Sequence, residues 1–208
     1  MLEEIIRKAA GDLKAREKAR DEAYSRARRA RMLSKQAILL LHNGELGKAE
    51  GNIGEASVIL EEIKEYCKEF TEIGFYDAVE AARQEYAEAS ILLGLNIGKG
   101  YPSPELLGLN YKSYLLGLAD VPGELRRQTL DLLRAGELVA AEENLETMEE
   151  IYQHLSKVDE VSLLLKGLRR KLDVVRSVTE RTRAEITTEA SRERLRKQLK
   201  KVEAKLVE

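Results

Sequence analysis

Apolar side chains recur every three or four residues along most of this chain, which is the spacing that gathers them on one face of an α-helix. Alternating apolar and polar runs, the signal of β-strands, do not occur in the sequence, and we interpret the dipeptide Asn43-Gly44 as the C-cap of the first helix. The pattern predicts an all-α protein. The predicted helices cover residues 2–42, 46–70, 75–96, 110–135, 137–155 and 160–187, and a basic amphipathic tail covers 191–207.

Glycine and proline mark the breaks between these helices. The segment 98–104, Gly-Lys-Gly-Tyr-Pro-Ser-Pro, cannot continue a helix, and Ser103 is placed to cap a short helix that starts at Pro104. Pro122 lies inside the predicted 110–135 helix, lacks an amide donor and clashes with the carbonyl of Leu118, so we expect a kink. We predict a single-domain antiparallel bundle of about seven long helices over residues 1–188, with a basic helical extension over 189–208.

Composition narrows the compartment and the class of protein. Charged residues make up 35% of the 208 residues, and no apolar run approaches the roughly 18 residues that cross a bilayer. The first 20 residues are charged throughout, unlike a signal peptide. The single cysteine, Cys67, cannot form a disulfide within the chain. We therefore expect a cytoplasmic protein that does not associate with membranes.

Charge is distributed unevenly along the chain. Residues 1–43 carry 11 basic and 6 acidic side chains, a net charge of +5. Residues 44–168 carry 11 and 24, a net charge of −13, and residues 169–205 carry 13 and 6, a net charge of +7. Basic ends around an acidic middle suit an anionic polymer held beside a cation-binding site. Solvated helix faces often carry such an imbalance and are the alternative explanation.

Two acidic pairs are the candidate chemistry. Glu85 and Glu88 are three residues apart on a predicted helix and share a face, at the border of its apolar stripe. Asp120 and Glu124 are four residues apart in an almost wholly apolar stretch, so we expect them to be partly buried. Neighbouring buried carboxylates need a counter-charge, and a divalent cation supplies one.

Oxygen ligands alone favour a hard cation, Mg²⁺ or Mn²⁺. A di-iron bundle would require Glu-x-x-His motifs, and the only histidines, His42 and His154, do not fit them. Each acidic pair taken alone is a weak signal, because a Glu-x-x-Glu on a charged helix is usually a solvated face. The two pairs on consecutive helices predict a metal site only if they converge.

The stretches that hold these acids resemble a known family. Gln84-Glu-Tyr-Ala-Glu-Ala89 and Tyr114-Leu-Leu-Gly-Leu-Ala-Asp-Val-Pro-Gly-Glu-Leu125 resemble Trax, the nuclease subunit of the translin–Trax ribonuclease. Ser34-Lys-Gln-Ala-Ile-Leu-Leu-Leu-His42 and Leu168-Arg-Arg-Lys-Leu-Asp-Val-Val-Arg176 are similar to other parts of the translin family. The resemblance covers roughly residues 1–185.

This resemblance implies a seven-helix fold, assembly into a closed, roughly octameric shell, and metal-dependent cleavage of single-stranded RNA inside it. We expect a homo-octamer, although the sequence leaves open a separate translin-like partner. It assigns Glu85, Glu88, Asp120 and Glu124 to metal binding and catalysis, and leaves cleavage of DNA open. The translin branch lacks the full acidic set, so a catalytically inactive, nucleic-acid-binding shell is the alternative. An interaction scaffold that dimerises through its long first helix is a third hypothesis. The compact form and the scarcity of Asn and Gln suggest an archaeal homologue.

Basic residues near both ends are the predicted RNA contacts. They are Arg28, Arg29, Arg31 and Lys35 in the first helix, and Arg192 and Arg196 in the tail. Each of them has an alternative role in solvating a helix or pairing with a neighbouring acid. Tyr86, between the two glutamates, could stack on a base, although core packing is the stronger expectation.

Overall fold

The computed structural model describes residues 1–158 and 164–207, with side chains up to residue 205. All regular structure within these residues is helical, which confirms the all-α prediction. Seven α-helices and one 3₁₀ helix are present there: α1 (Leu2–His42), α2 (Leu46–Glu69), the 3₁₀ helix (Thr71–Phe75), α3 (Asp77–Asn96), α4 (Tyr111–Leu118), α5 (Val121–Ala135), α6 (Leu138–Ser156) and α7 (Leu168–Val207). The start of the helix predicted at residue 160 lies outside the described residues. Residues 164–167, which that prediction also covers, are turns and a bend instead of helix, and α7 begins at Leu168.

The chain forms two compact units, Met1–Leu118 and Ala119–Glu208. In the first unit, α1 presents a buried stripe made mainly of alanine, at Ala19, Ala23, Ala27, Ala30 and Ala37. Small side chains let α2 and α3 approach α1 closely. The predicted stripe of α2 is buried at Ile53, Ala56, Leu60 and Ile63, whereas Cys67 is half-buried.

In the second unit, α5, α6 and α7 pack around a core of mostly aliphatic side chains, among them Leu125, Met148, Ile151, Leu168 and Val175. A bidentate ion pair joins α5 to α7, since Arg126 donates to both carboxylate oxygens of Glu185 at 2.8 and 2.9 Å. Gly136 ends α5 in the left-handed conformation, with a φ of 82°, which glycine adopts without strain.

Two further predicted elements differ from the structure. The segment predicted as one kinked 110–135 helix is two helices, since α4 ends at Leu118 and α5 begins at Val121. Pro122 lies in the first turn of α5, where a backbone amide has no carbonyl partner within the helix, so the proline costs no hydrogen bond. The short helix predicted after Ser103 is a run of turns, although Ser103 Oγ does accept a hydrogen bond from the Leu106 amide at 3.2 Å.

The ends of the chain are long helical extensions. Residues 2–15 of α1 are exposed throughout, and residues 191–205 of α7 are exposed except for the half-exposed Glu193. The predicted boundary between residues 188 and 189 falls inside α7, which is continuous there. A separate role for the extension stays a prediction.

Candidate functional site

Glu85 and Glu88 lie in the middle of α3, where the side chains change from half-buried at residues 83–85 to buried at residues 86–92. Glu88 is only 8% exposed, between the buried Ala87 and Ala89. The side chain of Glu85 is 15% exposed. Both acids are therefore largely removed from water, where a carboxylate requires hydrogen bonds or a counter-charge.

A glycine of α4 fixes the close packing beside Glu88. A Cβ atom on Gly117 would stand 2.5 Å from the carbonyl oxygen of Gln84, 2.6 Å from Cβ of Ala87 and 3.1 Å from the amide nitrogen of Glu88. Only glycine allows this contact between α4 and α3. The turn of α3 that carries both glutamates is thereby held against the end of α4.

Two basic side chains of α1 reach Glu85. Arg31 Nε donates to Glu85 Oε2 at 3.2 Å, and Lys35 Nζ lies 3.9 Å from the same oxygen. Both cations are about half exposed, so they face solvent while the carboxylate between them is largely buried. Arg28, Arg31 and Lys35 also line one surface groove of about 430 Å³. The first unit thus places predicted RNA contacts next to a predicted metal ligand.

The other predicted RNA contacts are engaged with acids of their own surroundings. Arg29 pairs with Glu55 of α2. Arg192 and Arg196 donate to Glu189, one turn or two turns earlier on α7, at 3.2 and 2.9 Å. Exposed pairs of this kind contribute little to stability. These arginines remain available to a phosphate, and their role stays a prediction.

The second acidic pair lies at the start of α5. Asp120 immediately precedes this helix, and Glu124 lies in its first turn. Both side chains are partly buried, as the apolar surroundings predict. Lys171 of α7 donates a hydrogen bond to Asp120 Oδ2. Here too a carboxylate of the pair is in direct contact with a basic side chain.

The two acidic pairs belong to different units, Glu85 and Glu88 to the first and Asp120 and Glu124 to the second. Among residues 1–158 and 164–207, no three histidine, cysteine, aspartate or glutamate side chains form a group that could hold a metal ion. The donor chemistry nevertheless fits a hard cation, since all four predicted ligands are carboxylates.

The structure also shows where the tyrosine and the two histidines considered in the sequence analysis lie. Tyr86 is buried in the first unit at 4% exposure, which confirms core packing and leaves its ring no face for a base. His154 is exposed on α6, and His42 is half-buried at the end of α1.

Comparison with known proteins places the chain among relatives. It is 34% identical, over 149 residues, to an uncharacterized protein of Methanocaldococcus jannaschii, a match that covers 69% of this chain and 67% of the relative. A solved structure of AfC3PO with duplex RNA is 35% identical, covers 92% of this chain and 97% of its own, and superposes with a TM-score of 0.81. AfC3PO is a protein of the translin family. The chain belongs to the translin family.

Two further translin-family structures agree with this assignment. The crystal structure of AfC3PO is 36% identical to this chain and covers 92% of it, with a TM-score of 0.81. The crystal structure of apo-NeC3PO is 25% identical and covers 88% of it, with a TM-score of 0.80. No family model matches the chain. The translin-like fold that the sequence predicted is confirmed.

Two contacts of this translin-family chain were not predicted. Lys171 lies 51 residues after Asp120, and only the packing of α7 brings them together. Glu80, one and a half turns before Glu85 on α3, is, with Glu88, a second buried acid of this helix, at 8% exposure. It is held by Arg83 at 3.1 Å and Lys112 at 3.0 Å, a structural ion-pair group.

The helices that the structure describes include none with the length and apolar character required to span a lipid bilayer.

Proposed function

We propose that this chain is a metal-dependent endoribonuclease of the Trax type that acts on single-stranded RNA. Membership of the translin family supports the choice of RNA, as does the similar AfC3PO structure, which contains duplex RNA. The observation that carries the proposal is that each acidic pair has a carboxylate in contact with a basic side chain: Glu85 with Arg31 and Lys35, and Asp120 with Lys171. Each acidic pair can therefore supply a carboxylate ligand to a metal ion, and the basic side chain beside it can bind a phosphate of the RNA.

In this proposal Glu85, Glu88, Asp120 and Glu124 hold Mg²⁺ or Mn²⁺. A bound divalent ion lowers the pKa of a coordinated water and neutralises charge on the phosphate. The carboxylates provide oxygen ligands in a partly dry setting, where their attraction for a cation is stronger than in water. The union of the two pairs in one site is part of the proposal.

The basic side chains act on the substrate. Arg31 and Lys35 neutralise Glu85 in the absence of RNA, and both can turn toward a phosphodiester because their ends face solvent. Lys171 has the same relation to Asp120. Contacts of this kind bind the RNA backbone and carry no sequence information.

Self-association belongs to the same proposal. The translin family resemblance implies a closed, roughly octameric shell, and we propose that the active form here is a homo-octamer of identical chains in the cytoplasm. DNA is a second polymer to test, since phosphate contacts alone do not distinguish it from RNA.

A second candidate is a nucleic-acid-binding shell without hydrolysis. It is favoured by the ion pairs of Glu85 and Asp120, because a carboxylate neutralised by Arg31 or Lys171 attracts a metal ion less strongly. In that case the chain would bind RNA through its basic side chains and leave it intact.

A nuclease assay decides between the two candidates. Labelled single-stranded RNA is incubated with the full chain in Mg²⁺, in Mn²⁺ and in EDTA, and binding is measured in parallel. The nuclease proposal predicts cleavage with a divalent ion and none in EDTA, and predicts that Glu88→Ala and Asp120→Ala each lower the cleavage rate by about 100-fold or more but retain RNA binding. RNA that is bound but never cut under any divalent ion would establish the binding shell instead.

The union of the two acidic pairs has its own test. If they serve one metal site, the variant that combines Glu88→Ala with Asp120→Ala should lose no more activity than either single variant, because residues that act as a unit are not additive. Losses that multiply would assign the two pairs to separate roles.

A further inference from the structure

The phosphate contacts proposed above do not distinguish single-stranded RNA from a duplex, because both present a charged backbone. An unpaired base differs from a paired one in that its ring face is open to stacking on an aromatic side chain. Tyr86, the ring between the two glutamates, is buried and cannot serve. Recognition of a single strand therefore requires an exposed aromatic ring beside a group of basic side chains.

Tyr24 on α1 is such a ring. It is 52% exposed, whereas the neighbouring Ala23 and Ala27 are fully buried in the core face of the helix. Its hydroxyl and its ring make no hydrogen bond or ring contact with any residue of 1–158 or 164–207. Contacts within the described chain therefore do not account for an aromatic residue at this exposed position.

Tyr24 is aligned with the basic groove of α1. The three basic side chains that line this groove follow Tyr24 by four, seven and eleven residues, a spacing that keeps them on the same face of the helix; they are Arg28, Arg31 and Lys35. At a rise of about 1.5 Å per residue, Tyr24 precedes Arg28 by about 6 Å along the helix axis. One nucleotide can therefore bring its base to Tyr24 and its phosphate to Arg28.

The basic side chain one turn after the ring is free to bind a phosphate. Arg28 is exposed and has no acidic partner in the part of the chain that the structure describes. Arg31 and Lys35, further along the groove, both contact Glu85. A phosphate that binds Arg28 displaces no carboxylate, and a charge-assisted hydrogen bond can form there directly. The ring and the cation at this end of the groove are thus both available.

We propose that single-stranded RNA binds along this face of α1, with one unpaired base stacked on Tyr24 and the adjoining phosphate held by Arg28. Arg31 and Lys35 continue the contact along the backbone. Tyr24 is then the residue that favours a single strand over a duplex, in which neighbouring base pairs cover the ring faces. The inference rests on the choice of RNA in the proposed function and does not depend on hydrolysis.

The test measures RNA binding by the full chain in EDTA, where no metal-dependent cleavage occurs, by fluorescence anisotropy. Tyr24→Leu should raise the dissociation constant for a single-stranded oligonucleotide about tenfold, because one stacking contact is lost, and should leave the value for the same strand in a duplex unchanged. Tyr24→Phe keeps the ring and should bind as the wild type does. So should the matched control Phe75→Leu, because Phe75 is 79% exposed but lies between the acids Glu72 and Asp77.

Salt dependence separates stacking from charge. The slope of the logarithm of the binding constant against the logarithm of salt concentration should stay constant in Tyr24→Leu, which loses no phosphate contact. It should become shallower by about 0.7 in Arg28→Gln, which loses one. A strand that contains the fluorescent base 2-aminopurine should be quenched on binding the wild type or Tyr24→Phe, because the base stacks, and quenched less by Tyr24→Leu.

Two results would overturn the inference: an unchanged affinity of Tyr24→Leu for the single strand, or a loss that is equal for single strand and duplex. Mn²⁺-dependent cleavage of RNA by the wild type, found beside either result, would leave the nuclease proposal standing. A wild type that stacks a base on Tyr24 but cleaves RNA with no divalent ion would refute the nuclease proposal and support this binding face.

Discussion

At the scale of single residues, the central feature is that one carboxylate of each acidic pair forms an ion pair with a basic side chain. Glu85 is largely buried between Arg31 and Lys35, and Asp120 receives a hydrogen bond from Lys171. Such contacts neutralise the acids until a stronger cation replaces them. In the proposed nuclease, the basic side chains therefore compete with the metal for the carboxylates and hold the phosphate once the metal is bound.

Lys171→Gln tests this competition. Without the lysine, Asp120 should attract Mn²⁺ more strongly, and the Mn²⁺ concentration for half-maximal RNA cleavage should fall about fivefold, which corresponds to the roughly 1 kcal/mol of a partly exposed pair. The measurement is a Mn²⁺ titration of the cleavage rate. Arg134→Gln is the control, because its partner Asp131 lies outside the proposed site. A midpoint that stays constant or rises would contradict the competition.

Residue types and their spacing in the sequence singled out the four acids as metal ligands, which stays a prediction. The apolar residues around Asp120 predicted its partial burial, which the structure confirms. The same information could not reveal the partners of these acids. Arg31 precedes Glu85 by 54 residues, and Lys171 follows Asp120 by 51. Contacts over such separations depend on how helices pack, and the local pattern of one helix does not determine them.

At the scale of elements, small residues control how closely the helices pack. The alanine stripe of α1 admits α2 and α3, and Gly117 admits α3 at the turn that carries Glu85 and Glu88. The helical periodicity predicted the bounds of α1 and most others within one or two residues. It did not predict the 3₁₀ helix at Thr71–Phe75, and it extended one helix through Asp120, where Pro122 instead begins α5. Proline marks an interruption, but a kink and a break give the same sequence signal.

Gly117→Ala should destabilise the protein by about 2 kcal/mol or more, because its Cβ would clash with the backbone of α3. Gly123→Ala, on α5, meets no atom within 4 Å and should be neutral or stabilise the helix by up to about 1 kcal/mol. Urea denaturation of both variants measures the difference. Equal stability of the two would show that the contact at Gly117 relaxes without cost.

At the scale of the whole molecule, charge is separated along the chain, and the family assignment rests on similarity over most of it. The sequence predicted the translin-like fold, because the motifs around the acids and the helical pattern agree. The relation between the Glu85–Glu88 pair and the Asp120–Glu124 pair could not be predicted in the same way. They lie in separate units, and no local pattern fixes the arrangement of two units.

The exposed basic extension makes a prediction about RNA binding. Residues 191–208 carry seven basic and three acidic side chains. Their removal should leave the unfolding midpoint almost unchanged, since residues 191–205 are nearly all exposed, and should weaken binding to single-stranded RNA. The slope of the logarithm of the binding constant against the logarithm of salt concentration should become shallower by about 0.7 for each phosphate that the shortened chain no longer binds. An unchanged slope would exclude the extension from RNA binding.

The most direct test of the nuclease account compares two equally buried acids of α3. Glu88 and Glu80 are each 8% exposed, but only Glu88 belongs to the proposed site. The rate of Mn²⁺-dependent cleavage of single-stranded RNA is measured for Glu88→Gln and Glu80→Gln, below the unfolding temperature of both variants. We predict a loss of about 100-fold or more for Glu88→Gln and a rate near wild type for Glu80→Gln. Equal rates in the two variants would contradict the assignment of Glu88 to catalysis.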